Sequence, residues 1–332
     1  MLKYLTHSEI DFQKWDQCID SAPNAIVYGY SWYLDVICPN WHGIVKEAPG
    51  GEYAAVMPLP VFKKFGIKYI RQPLFAQQLG VFYKTPLTEL EWKEISEIIR
   101  SKFWLISRYE FNTGNTEILA KGLPGFECKV FNTYHVSLNS DYDNIFSAYR
   151  KDRKWRVNQA SKQNNLSVRP SNNLDLQIKI FHETVAPKIY GIIGYEYEYR
   201  LLKELYKAAS ARNLTTMYEV VDEDEEILGV VLLLCHNKKL IYFFNSSTPK
   251  GKQAGAMSFI VDYMLKHYSN QELVFDFESP EINRVASFYR SFGSEKTPFL
   301  SISLNRLPAP VKFLKEIRFR TYRFFVPVSK DQ

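Results

Sequence analysis

The sequence is poor in the residues that build metal clusters and disulfide frameworks. Its 332 residues include four cysteines, and no two of these stand in a C-x-x-C spacing. Its six histidines are scattered without the spacing of a metal site. The pattern indicates neither a zinc site nor a disulfide framework, so we predict no metal cofactor. Scattered thiols are typical of proteins of the reducing cytoplasm.

Several motifs of hydrolytic and nucleotide chemistry are also missing. The chain contains no P-loop, no G-x-G-x-x-G and no G-x-S-x-G, so nucleotide hydrolysis and serine hydrolysis have no support. Its longest apolar run, residues 227–235, is too short to cross a bilayer. The N-terminal residues lack the apolar core of a signal peptide. We therefore expect a soluble, cytoplasmic protein.

What the sequence does contain is apolar and locally basic. Hydrophobic residues make up 46% of the chain and aromatic residues 15%, which is enough to build packed cores. The length suits two domains of ordinary size. The net charge of +6 is modest, so the clustering of the cations is more informative than their number.

The two halves of the chain repeat one order of predicted elements: helix, hairpin, helix, strand. Predicted elements of the first half are a helix at 31–37, strands at 43–47 and 52–61, a helix at 88–102 and strands at 104–111 and 128–138. Those of the second are a helix at 141–165, strands at 215–221, 227–235 and 239–246, and a helix at 254–268. We predict two α/β domains with mixed sheets, 1–140 and 141–332.

A strand that turns directly into a helix lies near the C-terminus, in LVFDFESPEINRVASFYRSFG, residues 273–293. The strand is predicted at 273–277, and Ser279 with Pro280 would begin the helix. Asp276 and Glu278 stand where the strand ends against the helix, a common position for a site in an α/β sheet. The alternative is that Asp276 only helps to cap the helix.

This stretch also carries a family resemblance. FDFES followed by a helix ending in FYRSFG resembles the C-terminal signature of the Fem-like (FemAB/FemX) peptidyltransferases, although Ser279 or Pro280 replaces the usual glycine. The resemblance implies two tandem domains of the acetyltransferase (GNAT) fold and an acyl or aminoacyl transfer. Glu278 or Asp276 would then be the base, and Tyr242 or Tyr289 would hydrogen-bond near the acyl carbonyl.

The loop SSTPKGKQAG, residues 246–255, precedes the helix predicted at 254–268. In acetyltransferases a glycine-rich loop at this position cradles the coenzyme A pyrophosphate with backbone N–H groups. Part of that pattern is present in Lys252, Gln253, Gly255 and Ala256. The alternative is an ordinary basic loop before a helix.

A dense group of cations occupies RKDRKWRVNQA, residues 150–160, within the long helix predicted at 141–165. Arg153, Lys154 and Arg156 repel one another there, so an anionic partner is indicated. The segment resembles the S-x-K-x-R-R-N-I-x-K-A segment of the Fem-like group, which implies contact with a phosphate-rich substrate or tRNA. The alternative is a solvated helix face.

Two further stretches are candidates for binding. Gln72 and Gln78 lie in a segment similar to Q-P-x-x-x-Q-x-x-G of the Fem-like group and suggest a rim for a sugar or peptide, or plain turns. Trp32 and Tyr33, on the helix at 31–37, are assigned to the same substrate. The basic tail 310–327 predicts an amphipathic helix that packs on its domain or contacts an anionic membrane or RNA.

The function predicted from all of this is an N-acyl or aminoacyl transfer onto an amine of a cell-envelope precursor, a peptide or an amino sugar. Acyl-CoA or aminoacyl-tRNA would be a co-substrate rather than a tightly bound cofactor. The expected partners are the acyl donor and an anionic envelope precursor or tRNA. The alternative is a non-catalytic GNAT-fold module that binds nucleic acid or glycan. An intact donor pocket would separate the two.

Overall fold

The computed structural model describes residues 2–162, 165–188, 195–278 and 282–308. Contacts divide the chain into two compact units, Met1–Phe131 with Pro298–Gln332, and Asn132–Thr297. We expected a boundary near residue 140 and a second domain continuing to residue 332. The division instead assigns the described residues from Pro298 to the first unit. The reason is that the strand Glu295–Asn305 pairs with the strand Leu105–Glu110.

Helices and strands follow one another along both units. The α-helices in the described residues are α1 (Phe12–Asp20), α2 (Ser31–Ile37), α3 (Glu89–Lys102), α4 (Tyr142–Ser147), α5 (Lys151–Lys162), α6 (Leu174–Thr184), α7 (Tyr195–Ser210), α8 (Pro249–Ala254), α9 (Ala256–His267) and α10 (Asn283–Arg290). The strands are β1 (Leu2–Leu5), β2 (His42–Glu47), β3 (Tyr53–Leu59), β4 (Val61–Lys64), β5 (Ile67–Arg71), β6 (Phe82–Tyr83), β7 (Leu105–Glu110), β8 (Glu127–Ser137), β9 (Ser167–Ser171), β10 (Thr215–Val221), β11 (Ile227–His236), β12 (Lys239–Ser247), β13 (Val274–Asp276) and β14 (Glu295–Asn305).

The first unit contains a sheet in the order β1-β2-β3-β6, with all neighbours antiparallel. Its remaining strands pair in the order β4-β5-β7-β14, with β5 and β7 parallel. The predicted hairpin is confirmed as β2 and β3, and the predicted helix at 88–102 as α3. Thr88 caps that helix because its side chain accepts from the Glu91 N–H, while the Glu91 carboxylate reaches back to Thr88.

The sheet of the second unit runs β8-β13-β12-β11-β10-β9. Its β12 and β13 are parallel, and its other neighbouring strands are antiparallel. The three strands predicted at 215–221, 227–235 and 239–246 are confirmed as β10, β11 and β12, which form an antiparallel meander. Alternation along the strand β13 and the residue after it places Phe275 and Phe277 in the buried core with residues of α9 and α10. The side chain of Asp276 therefore takes the opposite face.

The long helix predicted at 141–165 is wrong, since two helices, α4 and α5, occupy this stretch. The backbone N–H of Arg150 donates to the Ser291 carbonyl at 3.0 Å instead of continuing a helix. Ala148 packs closely against Gly293, where an added Cβ would lie 2.6 Å from the Ala148 Cβ. The break is thus set by the end of α10, which is distant in sequence.

Candidate active site

The site is organised around the carboxyl ends of the two parallel strands of the second unit. The pairing of β12 with β13 ends at Ile241 and Asp276, whereas β12 itself runs on to Ser247. The next residue of β12 is Tyr242, and β13 is followed by Phe277 and Glu278. Crevices outside the carboxyl ends of parallel strands are the usual position of ligands in such sheets.

Glu278 is held in a strained turn that follows the carboxyl end of β13. Its φ of +46° lies in the left-handed region, which non-glycine residues seldom adopt. Its backbone N–H donates a 3.0 Å hydrogen bond to the Asp276 Oδ1, so the preceding carboxylate fixes the turn. Strain of this kind is concentrated at functional sites. Glu278 is half-buried, in contrast to Asp276.

Two buried tyrosines, Tyr242 and Tyr289, contact the ring of Phe277, the residue before Glu278. The rings of Tyr242 and Tyr289 meet edge to face with centroids 6.2 Å apart, and Tyr289 stacks on Phe277 at 4.4 Å. Burial, and then the negative charge of Glu278, raises the pKa of Tyr289 well above its ordinary value. Burial likewise raises the pKa of Tyr242. Both hydroxyls are therefore neutral donors at pH 7, and neither forms a hydrogen bond to another of the described residues.

Asp276 has no solvent exposure and is surrounded by three partners. The Thr133 Oγ1 donates to its Oδ1 at 2.5 Å, and the His135 Nε2 and Lys239 Nζ lie 3.0 Å and 3.9 Å from its Oδ2. Burial alone would raise the pKa of Asp276, but these groups outweigh it and hold the pKa well below its usual range. We expected either carboxylate to be the base. Because Asp276 is enclosed, Glu278 is the better candidate for the base, and what the structure shows of Asp276 is that it holds the Glu278 backbone.

His135 is a neighbour of this site that sequence reasoning missed. Its Nε2 is buried and forms no hydrogen bond within the described residues, since the 3.0 Å approach to Asp276 lacks hydrogen-bond alignment. The side chain is 17% exposed, so another part of the ring reaches solvent. No motif marks His135. It faces Asp276 through the β8–β13 pairing, which joins residues far apart in sequence.

Arg153 differs most from its predicted role as a surface ligand for phosphate. Its guanidinium is buried against α9 and α10, where it donates to Ser258 and, at 2.8 Å, to Ser291. It lies 4.4 Å from the ring of Phe288 and 4.7 Å from that of Phe292. Burial lowers the pKa of the guanidinium to about 10. Arg153 therefore joins α5 to its neighbouring helices.

The other predicted cations of α5 are nearer to solvent. Arg156 is exposed and lies 5.6 Å from the ring of Trp155, whose side chain is itself 57% exposed. Lys154 is half-buried; its Nζ donates to the Ser147 carbonyl at 2.7 Å and lies 5.6 Å from the Phe146 ring. Arg156 is the more accessible of the two.

The predicted loop 246–255 is largely helical. It forms the end of β12 and then α8, which Thr248 caps by accepting from the Gly251 N–H at 3.0 Å. Gly255, at φ +79°, separates α8 from α9. A Cβ on Gly255 would lie 3.9 Å from the Arg156 carbonyl oxygen, so α5 passes beside the N-terminus of α9. Lys252 and Gln253 are exposed there, while Ala256 is fully buried.

The residues predicted to form a substrate rim in the first unit are engaged in shaping a loop. The Gln72 side chain donates to the Ala76 and Gln77 carbonyls at 2.8 and 3.2 Å and accepts from the Glu110 N–H at 3.0 Å. Gln78 is fully buried and accepts from the Thr113 N–H.

Of the two aromatic residues predicted on α2, one is also engaged within the first unit. Tyr33 is fully buried and its hydroxyl donates to the Phe75 carbonyl. Trp32 is half-buried, with its ring centroid 5.5 Å from that of Tyr33. Satisfied amides and a buried hydroxyl support a structural role for Gln72, Gln78 and Tyr33, which leaves Trp32 as the partly accessible member of the set.

Two predictions lie outside the described residues. These are the helix start at Ser279 and Pro280, and the basic tail 310–327. The helix α10 begins at Asn283, after Ile282, whose backbone is extended. No helix among the described residues is long and apolar enough to span a bilayer. Within that same part of the chain, no three histidine, cysteine or acidic side chains are grouped to hold a metal ion.

Comparison with known proteins identifies the fold. Residues 178–279 match the acetyltransferase (GNAT) domain family. The structure is similar to the crystal structure of FemX, with a TM-score of 0.62 and 13% identity over 90% of this chain and 96% of that one. It is also similar to a tandem GNAT protein from the clavulanic acid biosynthesis pathway, with a TM-score of 0.55 and 10% identity over 93% and 100% of the two chains. The chain has a tandem GNAT fold.

A third similar structure is a conserved protein of unknown function from Bacteroides thetaiotaomicron, with a TM-score of 0.57 and 12% identity over 91% of this chain and 99% of that one. No curated protein matches the sequence. The predicted tandem GNAT architecture and the resemblance to FemX are thus confirmed as a likeness of fold. At this identity the likeness does not extend to substrates.

Proposed function

We propose that this chain is an N-acyl or aminoacyl transferase that moves an activated acyl group onto an amine. The observation that carries the proposal is the grouping of Glu278, Tyr242 and Tyr289 just beyond the last paired residues of β12 and β13. A half-buried carboxylate and neutral hydroxyls at one sheet edge supply the base and the donors that acyl transfer needs. The GNAT fold supports the same class of reaction.

In the proposed reaction Glu278 accepts a proton from the attacking amine, directly or through a water molecule. The amine nitrogen then bonds to the acyl carbon, and the sulfur or oxygen of the donor leaves with the electron pair of the broken bond. The hydroxyls of Tyr242 and Tyr289 donate hydrogen bonds to the oxygen on which charge develops. Asp276 acts through the Glu278 backbone, which it holds in the strained turn.

The proposed donor is acyl-CoA or aminoacyl-tRNA, and both carry phosphate. Lys252 and Gln253 are exposed where α9 begins, and the Arg156 backbone lies beside the same helix end. The N-terminus of a helix favours anions, and nearby cations add to that preference. These residues would hold the donor phosphates. The proposed acceptor, following the Fem-like resemblance, is an amine of a cell-envelope precursor, a peptide or an amino sugar.

Single-turnover transfer by Glu278→Gln tests this proposal. The donors are labelled acetyl-CoA and aminoacyl-tRNA, each offered to an amino sugar and to a peptide with a free amine. We expect the variant to lose about 10²- to 10⁴-fold in rate, because it keeps the shape but removes the base. Its melting temperature should stay close to that of the wild type, since Glu278 is only half-buried.

Glu295→Gln is the matched control, because Glu295 is an exposed carboxylate on the strand that follows α10. It should transfer at the wild-type rate. Equal rates for Glu278→Gln and the wild type would show that Glu278 is not the base. A wild-type protein that binds a donor but transfers to neither acceptor would favour the non-catalytic binding module.

A further inference from the structure

The hairpin of β4 and β5 in the first unit ends in an exposed phenylalanine. Phe65 and Gly66 form its two-residue turn, with Lys64 paired to Ile67 on either side. Both turn residues have positive φ, +49° and +77°, as a type I′ turn requires. Such turns favour asparagine or aspartate before the glycine, so a bulky aromatic side chain is a strained choice here. The Phe65 side chain is 86% exposed.

Cations surround this aromatic tip. Residues 61–71, VFKKFGIKYIR, include Lys63, Lys64, Lys68 and Arg71 and no acidic residue. Lys63 lies directly opposite Lys68 in the antiparallel pair, where like charges are destabilising. None of the three lysines forms an ion pair with a described residue. Among the large hydrophobic side chains that the structure describes, that of Phe65 is the most exposed.

We propose that this hairpin tip, Lys63–Lys68, docks on the surface of a bilayer that contains anionic lipids. The Phe65 ring would enter the boundary between headgroups and acyl chains. The flanking lysines would bury their methylene stems and keep their ammonium groups at the lipid phosphates. This surface belongs to the first unit, whereas the residues assigned to transfer belong to the second, so it does not depend on the proposed function.

Charge and shape together favour a bilayer over a nucleic acid. Sites for single-stranded nucleic acid combine a basic groove with several aromatic rings on which successive bases stack. The tip is instead a convex two-residue turn with one exposed ring at its apex and cations on both strands. The next two rings, Phe62 and Tyr69, are paired one residue farther from the turn than Lys63 and Lys68. The Arg71 guanidinium covers the Phe62 ring at 4.6 Å.

Co-sedimentation of the full chain with vesicles tests the proposal. The vesicles contain either phosphatidylcholine alone or equal parts of phosphatidylcholine and phosphatidylglycerol. We expect the wild type to bind the anionic vesicles and to be released by high salt. Phe65→Ser should bind about tenfold or more weakly, from the apolar burial that is lost. Phe65→Trp should retain binding, because tryptophan is well suited to the membrane interface.

A further variant removes the charges of the three lysines together. Lys63→Gln, Lys64→Gln and Lys68→Gln combined should weaken binding by about fivefold per lysine and abolish the preference for phosphatidylglycerol. The control is a triple change to glutamine at Lys93, Lys129 and Lys207, which are exposed elsewhere, and it should bind as the wild type does. The control triple should melt with the wild type, since its changes are at exposed positions. The hairpin triple should melt at the wild-type temperature or slightly above it, because it removes the repulsion between Lys63 and Lys68.

Several results would overturn the proposal. These are a wild type that binds neither kind of vesicle, hairpin variants that sediment like the wild type, and a control triple that weakens binding equally. The second would place the membrane contact in another segment, such as the basic sequence 310–327. Anisotropy with a labelled single-stranded RNA completes the design. If the hairpin variants lose RNA binding but keep vesicle binding, the tip is a nucleic-acid surface.

Discussion

At the scale of single residues, the two carboxylates of the DFE sequence have different environments because strand alternation and a strained turn separate them. Asp276 is enclosed by Thr133, His135 and Lys239, whereas Glu278 is half-buried beside Tyr289. The sequence placed both carboxylates at the end of a strand. It could not separate their roles, since the partners of Asp276 come from β8 and β12, which are remote in sequence.

Stability as a function of pH should reveal the charge state of Asp276. Its pKa is lower in the folded chain than the ordinary value of about 3.9. The ionised form therefore adds stability above that pH, and the contribution is lost as the pH falls through the lower folded value. At pH 7 we expect Asp276→Asn to lower the free energy of unfolding by about 3 kcal/mol, as when a buried pair loses one partner.

The measurement is urea denaturation of the wild type and Asp276→Asn at neutral and at acidic pH. The difference between them should shrink as the pH falls below about 4, because the asparagine does not titrate. Glu97→Gln, an exposed change on α3, should show a small difference at every pH. A difference that stays constant from neutral to acidic pH would mean that folding does not shift the pKa of Asp276. A wild type that instead gains stability over Asp276→Asn as the pH falls towards 4 would mean that the pKa is raised, as burial alone would favour.

At the scale of elements, sequence patterns predicted those helices and strands that are determined by interactions between residues close in sequence. The helix predicted at 88–102 and the strands predicted at 215–221, 227–235 and 239–246 rest on patterns within short windows of sequence, and both predictions are confirmed. The failures are non-local. The break between α4 and α5 depends on Ser291 and Gly293, and the strand β9 is defined by its pairing with β10.

The glycines around α8 show why a motif can mislead. A Cβ on Gly251 would lie 2.0 Å from the Leu228 carbonyl oxygen, so this glycine is required by packing on β11. Gly255 has space around it but a φ of +79°. A glycine-rich sequence before a helix is therefore explained here by packing and by a turn, without any need for a phosphate.

Alanine substitutions should separate these two causes. We expect Gly255→Ala to lower stability by about 1–2 kcal/mol, the usual penalty of a left-handed conformation. Gly251→Ala should lower it further, because the clash is with backbone. Gly50→Ala, which would contact nothing within 4 Å, should be nearly neutral. Chemical denaturation gives the three values, and a Gly251→Ala protein as stable as Gly50→Ala would contradict the described packing of α8.

At the scale of the whole molecule, the tandem architecture followed from the repeated order of elements, but the position of the candidate residues did not. Glu278, Tyr242 and Tyr289 group in the second unit, whereas Gln72 and Gln78 shape a loop of the first. Glutamine side chains such as those of Gln72 and Gln78 can either bind a substrate at the rim of a site or hold a loop by internal hydrogen bonds. What distinguishes them is whether their hydrogen bonds are already used, which composition and spacing do not record.

The salt dependence of donor binding tests the predicted electrostatics of the molecule. Of the three α5 cations predicted to bind phosphate, Lys154→Gln with Arg156→Gln removes the two that are nearer to solvent. The double variant retains Arg153, whose loss would disturb helix packing. Each phosphate that a protein neutralises on a single strand contributes about 0.7 to the slope of log affinity against log salt. We therefore expect weaker binding of aminoacyl-tRNA and a shallower slope, by about that amount for each phosphate that is no longer neutralised.

The double change Lys93→Gln with Lys129→Gln, made in the first unit, should leave the slope unaltered. Since exposed charges contribute little stability, both double variants should melt with the wild type. If the α5 variant keeps the wild-type slope, its cations form a solvated face, and the donor phosphates are held elsewhere.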